Sequence, residues 1–149
     1  MSESPSTAKQ RGELGRKVVL EEVGLSLDYQ AENFDLQTIR ELRSLSSVAT
    51  EDVFLDLVAT YSSELSGGVA ALVSAVAHRD AEAIRKVAHA LKGSSLTLGA
   101  VGFGALCESV QASAEGPQIE ATIIRARELI ARAGGLPEQL RRAGVAAAA

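Results

Sequence analysis

Two histidines, His78 and His89, are the only imidazoles in the chain. A neutral imidazole nitrogen is a nucleophile that can attack phosphorus, and cations beside it draw an anionic group in. Helical phase separates the two. At about 100° per residue from Ile84, the residues Val87, Ala88, Leu91, Ser95 and Leu98 cluster on one side as a buried stripe. His89 falls about 140° away and is expected to face water. Arg85 and Lys92 share its side, Gly93 lies one turn further along, and Leu96 falls within about 20° of it. A mid-helix glycine costs about 1 kcal/mol relative to alanine. Beside an exposed histidine it removes a Cβ where a partner could come close. His78 ends the preceding helix, where a cation suits the negative dipole, so a structural role is expected for it. The two histidines lie on different helices with no third ligand in view, which argues against a metal site.

The elements that must position these residues are helical. The chain has 149 residues, 3% aromatics and no Trp. Ala, Leu and Val supply the apolar bulk, and Ala and Leu are strong helix formers. The prolines are Pro5, Pro117 and Pro137, so nothing forbids long helices between the first two. Asp35–Leu45 carries Leu36, Ile39, Leu42 and Leu45 at helical spacing, with Asp35 as N-cap. Thr50, followed by Glu51 and Asp52, opens a helix to about His78. Its stripe is Phe54, Leu57, Val58, Tyr61, Leu65, Val69, Leu72, Val73 and Val76. Gly67–Gly68 should weaken or bend it. Asp80 caps a third helix over Ala81–Leu98 that ends near Gly99. A fourth runs from about Val101 to Ala114. After a Gly116–Pro117 turn a fifth runs from about Gln118 to Ala133. Gly134–Gly135 and Pro137 should end or kink it, leaving at most a short turn beyond. There is no internal repeat and no alternating strand pattern.

The expected fold is therefore all-α: an antiparallel four-helix bundle with an additional short N-terminal helix over Asp35–Leu45. Residues 1–33 are expected to be a flexible arm, partly ordered at best, with 1–14 disordered. The helical unit should span 34–143, and 144–149 should be a frayed Ala-rich tail.

Charge and motifs exclude several function classes. The net charge is −4 with both signs mixed, so no basic patch suggests nucleic acid. The stretch Leu98–Cys107 is too short and too Gly-rich to span a bilayer. Residues 1–10 lack a signal-peptide core, and the lone Cys107 can make no internal disulfide. A cytoplasmic monomer without a membrane role is expected. Cys107 shares an apolar face with Phe103, Leu106 and Val110 and reads as a small buried hydrophobe. Gly99, Gly102 and Gly104 do not match a phosphate-binding loop and read as a turn and a tight helix start.

The string Ala88-His89-Ala90-Leu91-Lys92-Gly93-Ser94-Ser95-Leu96-Thr97-Leu98-Gly99-Ala100 resembles the motif of the histidine-containing phosphotransfer (HPt) family. There, His-x-Leu-Lys-Gly-Ser-Ser/Ala leads to a Leu-Gly-Ala helix ending. The resemblance spans about 100 residues and takes in Asp80 and Leu106-Cys107-Glu108. It implies that His89 is the phosphoacceptor and that Lys92 neutralises phosphoryl charge. Gly93, with Arg85 and Leu96, would form the docking patch. In some members a Gln in the next helix holds the active imidazole, and Gln111 stands at the matching offset from His89. The implied protein is a phosphocarrier rather than an ATP-dependent kinase. It would relay phosphoryl groups between the aspartates of response-regulator receiver domains, or take them from a hybrid or sensor histidine kinase. It would hold no metal or cofactor of its own, the receiver partner supplying Mg²⁺. Two other readings stay open. One is a helical module of the same fold that docks signalling partners without phosphorylation, although such proteins typically lose the histidine kept here. The other is the dimerising domain of a histidine kinase, which would need two long helices and an ATP-binding domain.

Overall fold

Three aspartates open three of the helices. In the computed structural model, which describes residues 31–45 and 52–148, Asp35 Oδ1 accepts from the backbone N–H groups of Gln37 and Thr38, at 3.1 and 3.3 Å. This caps α1, Leu36–Ser44, which follows a 3-10 turn at Ala31–Asn33. Asp52 Oδ1 accepts from Leu55 N at 3.1 Å and caps α2, Val53–Ala77. Thr50, where the helix was expected to open, lies with Glu51 outside the described residues. Asp52 takes the role because it immediately precedes the helix, where a carboxylate reaches an orphan donor of the first turn. Asp80 caps α3, Ala81–Thr97, accepting from Ala83 N at 3.1 Å. α4 spans Val101–Ala114, α5 Ile119–Ala133 and α6 Leu136–Ala148.

The turns on either side of α3 end the same way. Asp80 N donates to Ala75 O, and Ala100 N donates to Ser95 O, each at 2.9 Å. These bonds close the helix ends over one left-handed residue. At the second turn that residue is Gly99, with φ +84; at the first it is Arg79, with φ 52. Gly99 O also accepts from Asp35 N at 2.8 Å, which ties the start of α1 to the α3–α4 turn.

α2 packs against α3 and α5, and α4 against α3 and α5, so these four close a bundle. Its interior holds Phe54, Val58, Tyr61, Leu65 and Leu72 of α2, and Ile84, Ala88 and Leu91 of α3. Phe103, Cys107 and Val110 of α4 and Ala126 and Leu129 of α5 complete it. The buried stripe of α2 is narrower than its sequence suggests: Val73 is 52% and Leu57 36% exposed. α2 runs unbroken through Gly67 and Gly68. A Cβ on Gly68 would stand 2.9 Å from Leu91, so the glycine lets α3 come close there.

The C-terminal end departs from expectation. A fifth bundle-associated helix was expected at the N-terminus alone, yet α6 is a 13-residue helix packed on α1 and α2. The break at Gly134–Gly135 is present, but it lasts only those two residues. Pro137 does not prevent the restart because it sits in the first turn, where its missing N–H has no intrahelical partner to lose. The tail expected to fray from residue 144 continues the helix to Ala148. Ala143 and Ala147 are buried, and Arg40 Nε donates to Ala147 O at 3.3 Å. Alanine favours the helix and is small enough to be buried against α1, while Gly144 leaves room for the Phe54 ring.

Candidate functional site

The site is built on the seam between α3 and α4. The two helices run antiparallel, so each step along α3 is matched by an equal step back along α4. Arg85 stands opposite Glu115, His89 opposite Gln111, Lys92 opposite Glu108 and Leu96 opposite Gly104.

His89 is exposed, on the side of α3 away from the buried Ile84, Ala88, Leu91 and Ser95. Its Nδ1 lies 3.4 Å from Gln111 Oε1. That is long for a hydrogen bond. With the Gln111 carbonyl as acceptor, Nδ1 carries the proton and Nε2 keeps the lone pair.

One turn along, Lys92 Nζ donates to Glu108 Oε1 at 2.7 Å. Glu108 is held below the usual glutamate range, first by this hydrogen bond and then by the charge of Lys92; His89 adds a smaller electrostatic contribution. Glu108 was quoted in the sequence motif but given no role. The signal was available: the antiparallel step that leads from His89 to Gln111 also leads from Lys92 to Glu108.

Arg85 lies on the same flank, but its guanidinium is engaged on its own helix. Nη2 and Nε donate to the two Glu82 carboxylate oxygens at 2.7 and 3.0 Å. Both cations flanking His89 thus already hold carboxylates: Arg85 one three residues back on its own helix, Lys92 one across the seam, which a reading along one helix cannot reveal. Gly93 is exposed, and a Cβ placed on it would meet nothing within 4 Å. Leu96 is 45% exposed and folds over the start of α4, where a Cβ on Gly104 would touch it at 2.5 Å.

Gly93 also lines a groove of about 350 Å³ between α2 and α3, with Leu57, Tyr61 and Leu98 in its wall. A second groove continues it past Glu64 and Ser94 towards Ala90 and Lys86. Beneath the site, Tyr61 Oη and Ser95 Oγ share a buried hydrogen bond of 2.6 Å. Burial pushes the Tyr61 hydroxyl well above its ordinary value and the Cys107 thiol up to about 12. Cys107 is fully buried and behaves as core. His78 sits at the end of α2 with Nδ1 2.8 Å from Ser74 O, remote in sequence and helix from the seam.

Among the described residues, no three His, Cys, Asp or Glu side chains gather as a metal site, and no helix is long and apolar enough to cross a membrane.

Residues 56–143 match the family model of the Hpt domain. The chain is also similar in structure to histidine-containing phosphotransfer protein B from Pseudomonas aeruginosa PAO1. The TM-score is 0.57 at 27% identity, covering 76% of this chain and 96% of that one. No curated protein sequence matches the chain.

Proposed function

The chain belongs to the Hpt domain family, and from that premise we propose that His89 is its phosphoacceptor, relaying phosphoryl groups between receiver-domain aspartates. Histidine phosphotransfer in two-component signalling, with kinases and receiver domains as partners, is the work of this family. The observation that carries the assignment is the exposed His89 ring, with Nδ1 facing the Gln111 carbonyl and Lys92 one turn away.

In this mechanism the Nε2 lone pair forms the N–P bond while the P–O bond of an aspartyl phosphate breaks. The aspartate carboxylate leaves with that bond's electrons. The Nδ1 proton stays on the ring, which becomes a phosphorylated imidazolium, and Gln111 accepts a hydrogen bond from it. Lys92 meets the phosphoryl oxygens. Phosphoryl transfer is chiefly a matter of position and charge, and these residues supply both. The receiver domain brings the aspartate and the Mg²⁺, making the active site composite. Gly93, Leu96 and Arg85 border the surface it approaches, with Gly93 leaving the most room.

The nature of the bond tests the reading. Label carried by the wild-type protein should be acid-labile and base-stable, and His89→Gln should carry none. An acid-stable label, or one that survives in His89→Gln, would place the acceptor elsewhere.

A further inference from the structure

The mechanism above gives Lys92 a task that the resting structure already assigns to another group. Lys92 Nζ is held by Glu108 at 2.7 Å, directly across the seam and beside the His89–Gln111 pair. The two partners differ in freedom: the Lys92 side chain is 26% exposed and that of Glu108 59%. The carboxylate can swing into water at little cost, whereas the ammonium stays in the seam.

We propose that Glu108 is a positioning residue. It holds Lys92 beside His89 in the unphosphorylated protein and yields it to the phosphoryl group. The strength of the Lys92–Glu108 pair then tunes the balance between donor and phosphohistidine. This deepens the reading of His89 as phosphoacceptor and rests on it.

The argument is one of competition. A phosphoryl group carries more negative charge than a carboxylate and more acceptor oxygens, so it takes the ammonium from Glu108. Glu108 then faces a like charge and turns away. Each phosphorylation must therefore break an ion pair, which lowers the equilibrium yield. The neighbouring Arg85 does not substitute for Lys92, because Glu82 grips it through both carboxylate oxygens. In return, the resting pair keeps Lys92 extended towards α4 and ready for the phosphoryl group.

The test uses phosphoramidate as donor, with phosphohistidine followed by ³¹P NMR in the full chain. The N–P bond to His89 forms as the donor's P–N bond breaks, and ammonia leaves with that bond's electrons. The equilibrium constant is measured for wild type, Glu108→Gln, Lys92→Gln and the double variant. Helicity and melting are recorded for all four. Glu108→Gln should raise the constant about two- to five-fold, the range an exposed ion pair spans. In the Lys92→Gln background the same change should give little or no gain, a coupling that a merely structural role for Glu108 would not produce. An unchanged or lower constant in Glu108→Gln, with wild type taking up phosphoryl, overturns the hand-over alone. A gain that persists without Lys92 also overturns it, since the carboxylate would then act only through its own charge. No phosphohistidine in wild type overturns the phosphoacceptor reading and the hand-over together.

Discussion

Gly93 should be a position where stability and function move in opposite directions. It lies inside α3, is exposed, and beyond its own helical backbone and chain neighbours has nothing within 4 Å of where a Cβ would stand. Glycine in a helix interior costs about 0.8–1.0 kcal/mol relative to alanine, and leucine is nearly as good a helix former as alanine. Gly93→Ala and Gly93→Leu should each stabilise the protein by about 0.5–1 kcal/mol, raising Tm by roughly 2–6 °C. The leucine would project beside the groove walled by Leu57 and Tyr61, on the flank a receiver must approach. Overpacking a close-fitting contact costs about 1–3 kcal/mol. At about 1.4 kcal/mol per factor of ten, docking should weaken roughly five- to hundred-fold. The assay pairs thermal melting with the rate of phosphoryl transfer from a phosphorylated receiver at varied receiver concentration. Labelling by phosphoramidate, which needs no docking, should be unaffected. A variant that melts higher and still accepts from the receiver at the wild-type rate would refute the close-approach argument. A lower melting temperature would refute the open space itself.

Three other perturbations probe the frame around the site. Tyr61→Phe removes the partner of Ser95 Oγ, which is fully buried. It should cost about 1–2 kcal/mol, with Tyr61→Phe/Ser95→Ala closer to wild type; equal losses in a denaturant-melt cycle would contradict the pairing. Gly144→Ala would place a Cβ 2.6 Å from Cε2 of the fully buried Phe54 ring. Overpacking of about 1–3 kcal/mol should exceed the helical gain of about 1 kcal/mol. A higher Tm would mean that α6 does not press on Phe54. Asp35 is held below its ordinary 3.8, first by its Thr38 hydrogen bond. Glu82, Glu108, Glu120 and Glu138 are held below 4.5 by Arg85, Lys92, Arg79 and Arg142. Folded values below unfolded ones mean that the unfolded chain binds more protons in that window. Stability should thus be level at neutral pH and be lost as pH falls through 4.5 and below, less steeply in high salt. A Tm that rises on acidification in that window would reverse the sign.

Much of this was legible because it depends on local rules. Asp35 and Asp80 cap helices as their positions before apolar periodic runs suggest, and phase alone puts His89 opposite Ile84. What the sequence hid depends on what stands across from a residue. Lys92 looks like a free cation along α3, but its carboxylate, Glu108, comes from α4, whereas Arg85 meets Glu82 at the local i,i+3 spacing. Gly134-Gly135-Leu136-Pro137 looks like a terminator because glycine and proline usually punctuate. Here the proline falls within the first turn of a new helix. The small residues after it look too featureless to pack, yet Ala143 and Ala147 are buried and Gly144 leaves room for the Phe54 ring. Arg79 in the left-handed region could not be anticipated, since glycine or asparagine is the usual occupant.

The central claim is that His89 carries a phosphoryl group between partners. Its most direct test is transfer of labelled phosphoryl from a phosphorylated receiver domain in Mg²⁺, comparing wild type with His89→Gln. The account predicts rapid labelling of wild type at a phosphohistidine and none of His89→Gln, with unchanged helicity and melting. Labelled His89→Gln, or an unlabelled wild type across a panel of receivers from the source organism, would contradict it.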